Sequence, residues 1–368
     1  MGSIWGENLK ISLFGESHGP AIGVVIDGFP PGIELDLEKI GIEMGRRRPN
    51  TGAYSTKRKE ADEVELLSGL FNGKTTGAPI CGLIRNTDAR SGDYEEMSRL
   101  MRPGHADYTG YVRYKGFNDI RGGGHFSARL TAPIVFAGAV AQQYLDTIGI
   151  TIGSHISRIH DVYDVGFDLA DITKEQLAHL RGMEIPVNDA ACVSEYIKEI
   201  EAAHSNNDSV GGVIETAAIS LPAGLGSPIF GNVESRLSSF LFSIPAVKGV
   251  EFGAGFSIAG MHGSEANDSL YTDQGRILTR TNNNGGINGG ITNGMPLVFR
   301  IALKPTPSIS AEQETVDIKK MENTTIKIKG RHDACIVPRA VPVVEAACAI
   351  VLCDLCLVHC QPSPTNEV

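Results

Sequence analysis

The chain has 368 residues, room for one large domain or two ordinary ones, and its 42% hydrophobic and 21% charged residues are the usual globular mix. A net charge of −10 argues against a nucleic-acid binder that works through overall charge, while leaving room for a local cationic pocket. No signal-peptide layout and no run approaching ~18 apolar residues is visible, so a soluble, cytoplasmic protein with no membrane partner is expected.

A β-like run and a glycine-rich corner occupy residues 11–30, with a second strand at 24–27. Residues 35–47 have helical spacing, with Asp36 as the N-cap. Arg46, Arg47, Arg48, Lys57, Arg58 and Lys59 form a stretch without an acid, suited equally to a solvated loop and to oxyanion capture by guanidinium forks. Glycines and Pro79 interrupt residues 69–83. There Gly69-Leu70-Phe71-Asn72-Gly73-Lys74-Thr75 imitates a phosphate loop, but three residues separate the glycines where that motif needs four.

A long, mostly apolar helix is predicted over 126–148, directly after Gly122-Gly123-Gly124. Polar helices follow at 173–181 and 190–204, then strands at 213–219 and 250–258 with a helix at 232–242 between them. A polar, glycine-dense loop at 282–294 precedes a strand at 297–303. The last apolar helix covers 340–360, and the tail 361–368 is expected to be disordered. No linker or repeat divides the chain, so residues 1–360 read as one domain, α/β or α+β. No Gly-x-Gly-x-x-Gly opens a helix after a strand, which argues against a Rossmann dinucleotide site.

The seven cysteines are Cys81, Cys192, Cys335, Cys348, Cys353, Cys356 and Cys360. Four of them fall within one apolar helical run, which fits small buried thiols better than a disulfide framework or a metal site, and no metal is expected.

Four loop-rich places concentrate the side chains that do acid–base and anion chemistry. His18 sits in a glycine corner with Glu16 and Ser17, where a ligand can approach the backbone. Arg102-Pro103-Gly104-His105-Ala106-Asp107 puts a second histidine on a loop. Arg121-Gly122-Gly123-Gly124-His125-Phe126-Ser127-Ala128-Arg129 leads into a helix whose free N–H groups suit a phosphate, with Ser127 as a cap. The fourth is Arg331-His332-Asp333, upstream of Arg339.

Together these segments resemble chorismate synthase over nearly the whole chain. The resemblance also takes in Asp27-Gly28-Phe29-Pro30-Pro31-Gly32, Arg46-Arg47-Arg48-Pro49 and Asp208-Ser209-Val210-Gly211-Gly212. It continues through Ala246-Val247-Lys248-Gly249-Val250-Glu251 and Lys304-Pro305-Thr306-Pro307-Ser308. It implies a β-α-β sandwich of two sheets enclosing long helices, assembled as a homotetramer. The implied reaction is loss of phosphate and a ring proton, in a 1,4 sense, from 5-enolpyruvylshikimate 3-phosphate to give chorismate, the last step of the shikimate pathway. Reduced FMN is required without net redox change, and NADPH is a possible reductant.

Carried over position by position, the resemblance makes His18, His105, Asp333 and Ser17 catalytic: His18 toward the departing phosphate, His105 toward the reduced flavin, and Asp333 with Ser17 as a proton relay. Arg47, Arg129 and Arg331 are implied to hold substrate, and Arg47 to be an NADPH contact. Flavin contacts are implied at His125, Phe126, Ser127, Pro245, Ala246, Gly289, Lys304, Pro305, Thr306, Pro307, Ser308 and Arg331. Two departures stand out. Gly52-Ala53 occupies the place where many members carry an arginine, with Lys57 or Arg58 as substitutes. His125-Phe126-Ser127 stands where many read Arg-Ser-Ser or Arg-Ala-Ser. The rival readings are an FMN oxidoreductase acting on a small anion and a non-catalytic flavin- or phosphosugar-binding module.

Overall fold

A computed structural model of the protein describes residues 2–48, 62–87, 98–328 and 333–359. Two five-stranded antiparallel sheets enclose two long helices. The N-terminal sheet runs Ile4–Trp5, Lys10–Gly15, Ala21–Asp27, Ile80–Arg85, Val64–Ser68 across its width. The C-terminal sheet runs Val247–Phe252, Leu297–Leu303, Gly212–Ile219, Thr151–Ile159, Val162–Tyr163. Helix Thr131–Thr147 lies on the first sheet, helix Val337–His359 on the second, and the two helices pack on each other. This is the mixed α/β sandwich that the resemblance implies.

The layering follows from side-chain periodicity. In Ala21–Asp27 the alternate residues Ile22, Val24 and Ile26 are buried, so one face of the strand meets the helices. Both central helices are apolar on every side because each has a sheet on one flank and a helix on the other. The stretch Val337–Val358 is long and apolar enough to cross a membrane, which amends the sequence expectation that no such run exists; 89% of it is buried inside the protein.

Several polar groups in this interior have specific partners. Gln143 accepts from the Asp36 backbone N–H (2.7 Å) and donates to the Asp36 carbonyl (3.0 Å). The Asp36 carboxylate in turn caps helix Leu37–Arg47, accepting from the N–H groups of Glu38 and Lys39. Asp354 accepts the N–H groups of Glu7, Asn8 and Leu9 and pairs with Arg236, tying the N-terminus to the last helix. Cys348, Cys353 and Cys356 lie fully buried in that helix, and burial raises the Cys348 and Cys353 thiols far above their usual range.

The cap read from sequence at Asp36 holds its helix, and the structure adds Thr173 and Asn232 as caps of the helices predicted to start there. Several elements differ from the prediction. The helix predicted from 126 begins at Thr131, because Ser127 caps a short 3-10 turn, Ala128–Leu130, through the Arg129 N–H. The strand predicted at 250–258 is Val247–Phe252, after which the Glu251 carboxylate folds back onto the Phe256 N–H (3.0 Å) and a 3-10 turn follows. The loop at 282–294 contains the small hairpin Ile287–Asn288 and Ile291–Thr292. The apparent phosphate loop is a hairpin too, Leu70–Phe71 with Lys74–Thr75. The expected tail 361–368, Cys360, and the basic-stretch residues Lys57, Arg58 and Lys59 lie outside the described residues, as do Gly52 and Ala53.

On the outer side of the C-terminal sheet, His155 is fully buried, with Nδ1 2.8 Å from Asp164 and Nε2 2.8 Å from Glu215. Burial by itself lowers the pKa of this imidazole, but the hydrogen bonds and negative charge of the two carboxylates outweigh burial and raise it. A raised folded-state value contributes stability in full below the unfolded value, about 6.5, and loses it as pH rises through the folded value. Thermal stability of the wild type should therefore decline over that rise more steeply than that of His155→Gln. Parallel pH profiles of Tm for the two proteins would remove the imidazolium from this account.

Candidate active site

The strand Lys10–Gly15 delivers the corner Gly15-Glu16-Ser17-His18-Gly19 to one edge of the sandwich. Asn86 pins the corner, its amide donating to the carbonyls of Glu16 (3.0 Å) and Gly19 (2.8 Å). The Ser17 N–H donates to the Gly124 carbonyl, and the Ser17 hydroxyl lies 3.1 Å from the carbonyls of Arg121 and Gly122 and 3.0 Å from His18 Nδ1.

Gly122, Gly123 and Gly124 all have positive φ, 55°, 88° and 53°, a path that L side chains rarely follow. It lets two histidine rings lie against the bare backbone. A Cβ on Gly122 would overlap the His18 ring. One on Gly123 would stand 3.2 Å from His105 Cε1 and Nε2. The two loop histidines thus meet successive residues of one glycine loop.

His105 is held from its own loop. Its Nδ1 is 2.7 Å from Asp107 Oδ1, and Arg102 grips the same carboxylate through Nε and Nη2, both at 2.7 Å. Burial raises the Asp107 carboxyl, yet Arg102 and His105 hold it well below the usual carboxylate range. Behind this loop the Lys304 ammonium donates to the Gly104 carbonyl and the Lys304 N–H to the Ala246 carbonyl. Burial and the neighbouring Lys248 lower the Lys304 pKa. Ala246, at φ 77°, turns the chain from Pro245 into strand Val247–Phe252. The segment Lys304-Pro305-Thr306-Pro307-Ser308 is anchored at the Thr306 carbonyl by the Ser209 hydroxyl (2.7 Å). Pro307 flanks Gly104, and Ser308 is buried.

His125 bonds the Gly15 carbonyl through Nδ1 (2.8 Å) and the Ser3 hydroxyl through Nε2 (3.0 Å), bracing the first corner. Phe126 packs against Gly110 and Tyr114. Gly289 turns the small hairpin whose next residue, Gly290, abuts Asn232. Most of the other polar groups of that loop serve the fold, since Asp268 accepts the N–H groups of both Asn283 and Asn284.

Arg47 and Arg129 lie side by side, 3% and 8% exposed, and share Asp62. Arg47 also donates to the Thr131 hydroxyl (2.9 Å) and the Ala128 carbonyl (3.1 Å), and Arg129 to the Asn86 side chain (3.2 Å). Asp333 pairs with Arg339 Nη1 (2.6 Å), whose Nε donates to the Arg47 carbonyl (3.2 Å), so Asp333 joins the arginine side of the site. Arg331 and His332 lie outside the described residues.

The chorismate synthase family model matches residues 9–357. The chorismate synthase of Thermococcus gammatolerans is 49% identical over 349 residues, covering 95% of this chain and 96% of its own. That of Dehalococcoides mccartyi is 46% identical over 359 residues, 97% of each chain. The chain belongs to the chorismate synthase family. A solved structure described as a crystal structure of chorismate synthase superposes with a TM-score of 0.76 at 31% identity, covering 96% of this chain and 93% of that one. The family's chemistry is that of a carbon–oxygen lyase, and the chain is an enzyme of that class.

Several residues in the chorismate synthase site carried no role in the sequence reading. Asp107 stands two residues after His105, a spacing that marks it as a partner once the histidine is singled out. Asp62 and Asn86 gave no signal, since each gains its place only through residues distant in the chain. Asp119 accepts both Arg121 Nε and Nη2, and those bonds together with the His18 charge keep its carboxyl low.

Proposed function

We propose that the chain converts 5-enolpyruvylshikimate 3-phosphate to chorismate by 1,4-elimination of phosphate, with reduced FMN present and no net redox change. The observation that carries the reading is the meeting of His18 and His105 on the adjacent residues Gly122 and Gly123. Two imidazoles on one face, each backed by its own oxygen partner, support two separate proton duties. His18, backed by Ser17, protonates the departing phosphate. His105, backed by Asp107, carries charge complementary to a reduced flavin. Asp333 and Ser17 relay the ring proton. Arg47, Arg129 and Arg331 hold oxyanions, and at the first two an incoming anion competes with Asp62.

The residues fit an FMN. The Thr306 hydroxyl is buried and has no hydrogen-bond partner among the described residues, as expected of a group that meets a ligand. Lys304, Pro305, Thr306, Pro307, Ser308, Pro245 and Ala246 would hold the cofactor from one side; His125, Phe126, Ser127, Gly289 and Arg331 complete the proposed set. When bound, reduced flavin lends electron density to the breaking C–O bond and takes it back. An external reductant suits a chain without a dinucleotide fingerprint; NADPH at Arg47 would need the same exchange with Asp62. A cytoplasmic homotetramer without nucleic-acid or membrane partners goes with this reading, supported by Phe117, Phe230 and Phe256 at 90%, 92% and 85% exposure.

The test is anaerobic: purified protein, substrate and dithionite-reduced FMN, followed for chorismate absorbance and free phosphate. Equal release of both over many turnovers, with the flavin reduced at the end, is the expected result. Reductant consumed in proportion to product would instead mark an oxidoreductase.

A further inference from the structure

His105 has an asymmetric setting. One ring nitrogen faces charged protein groups and the other faces the glycine loop. On the Nδ1 side stand Asp107 Oδ1 at 2.7 Å and Arg102 Nη2 at 3.1 Å. A guanidinium only donates, and an ionised carboxylate only accepts. If Nδ1 were bare it would take the longer bond from Arg102 and meet the carboxylate lone pairs at the shorter distance. If Nδ1 is protonated it donates to Asp107, and the shorter bond is the attractive one. Arg102 strengthens this choice by occupying both oxygens of Asp107 in a two-pronged pair and adding its backbone N–H to Oδ2 (3.1 Å). The carboxylate therefore cannot rotate away or readily take a proton. Nε2, left over, lies against Gly123, next to the glycine that His18 meets.

We propose that Asp107, clamped by Arg102, is a positioning residue that fixes the Nδ1–H form of His105, supports its cation and leaves Nε2 as the nitrogen that works on the glycine-loop face. The proposal rests on the reading of His105 as catalytic and adds what sets its proton. Of the other charges near this loop, Arg102 beside Nδ1 opposes the cation, Lys304 stands at the Gly104 carbonyl with Lys248 beyond it, and across the glycines lie His18, Asp119 and Arg121. Asp107 is the carboxylate in direct contact with the ring. Its removal should therefore dominate the change in the imidazole.

Asp107→Asn is nearly isosteric but presents an NH2 to either Arg102 or His105, so it breaks the order of donors and acceptors. In the full-length protein, ring-nitrogen NMR of ¹⁵N-labelled histidines, with His105 assigned by its loss in His105→Ala, reads tautomer and titration directly. Asp107→Asn is expected to convert His105 from the Nδ1–H to the Nε2–H form. kcat should fall with it by roughly tenfold. Arg102→Lys, which keeps the carboxylate but loses the fork, should give a smaller shift in the same direction, and it takes over the test if Asp107→Asn does not fold.

An unchanged His105 tautomer in the folded variant would overturn the proposal even if turnover fell, since a merely structural role would lose rate without moving the ring proton. Full turnover in His105→Ala would overturn the catalytic reading of His105. In that case the NMR shift in Asp107→Asn would still be seen, so the two failures are distinguishable.

Discussion

Replacing His18 with alanine is expected to slow anaerobic release of phosphate and chorismate by about 10²- to 10⁴-fold, the range supplied by a positioned general acid. The ring lies against Gly122, where any side chain would overlap it, and its Nδ1 is 3.0 Å from the Ser17 hydroxyl. Ser17 is itself fixed between the carbonyls of Arg121 and Gly122 and by its N–H to Gly124. The ring stands at the site corner and outside the hydrophobic core cluster, so His18→Ala should keep a melting temperature close to that of the wild type while turnover collapses. Single-turnover phosphate release with pre-reduced FMN is the decisive measurement. A variant that releases phosphate within a few-fold of the wild-type rate would take the proton-donor role away from His18. Serine alone tests the support: Ser17→Ala should cost less, because it leaves the ring in contact with the glycine loop.

The largest effect on stability is expected at Gly138, in the middle of helix Thr131–Thr147. A glycine inside a helix ordinarily costs about 1 kcal/mol relative to alanine, so Gly138→Ala would stabilise an exposed helix. Here the sign should reverse. A Cβ at this position would overlap both Cβ and Cα of Ala346 on helix Val337–His359, and it would stand 2.9 Å from the Ala346 carbonyl oxygen. Two of those atoms are backbone, and neither helix can retreat, since each has a sheet behind it. Overpacking of this kind costs roughly 1–3 kcal/mol for one methyl group, and more for Gly138→Val, which is expected to yield little folded protein. Thermal melts settle the matter: a Gly138→Ala protein melting at or above the wild-type temperature would show that the central helices have slack. The same contact explains why the apolar run is interrupted by a residue with no side chain.

Much of the protein was legible in its sequence wherever a feature depends on neighbours a few residues away. Asp36 caps its helix because a cap needs only the next three N–H groups, and the helices predicted to start at Thr173 and Asn232 do start there. The strand Leu297–Leu303 was read to the residue, since its apolar run is bounded by prolines, Pro296 and Pro305, near either end. The misplaced start of the central helix has the same origin: Ser127 does cap, but the turn it caps is 3-10, and local pattern does not separate the two. Motif order along the chain was also enough to place it in its family, because motifs are a property of the sequence itself.

What meets what was decided by the tertiary structure. His18 ends one strand and His105 sits on a loop far along the chain; they come together because both rings close on a glycine path that only glycine can follow. The basic stretch around Arg47 could equally have been a solvated loop. Folding instead buries Arg47 beside Arg129, two like charges that Asp62 between them helps to make tolerable. Asp354 and Gln143, polar residues in the most apolar helices, make sense only once the N-terminal strand and the Asp36 cap arrive to use their hydrogen bonds. Spacing along the chain determined the elements and the chemical inventory. The pairing of charges depended on burial, because desolvation makes an unpaired buried charge costly and so forces each one onto a partner from elsewhere in the chain.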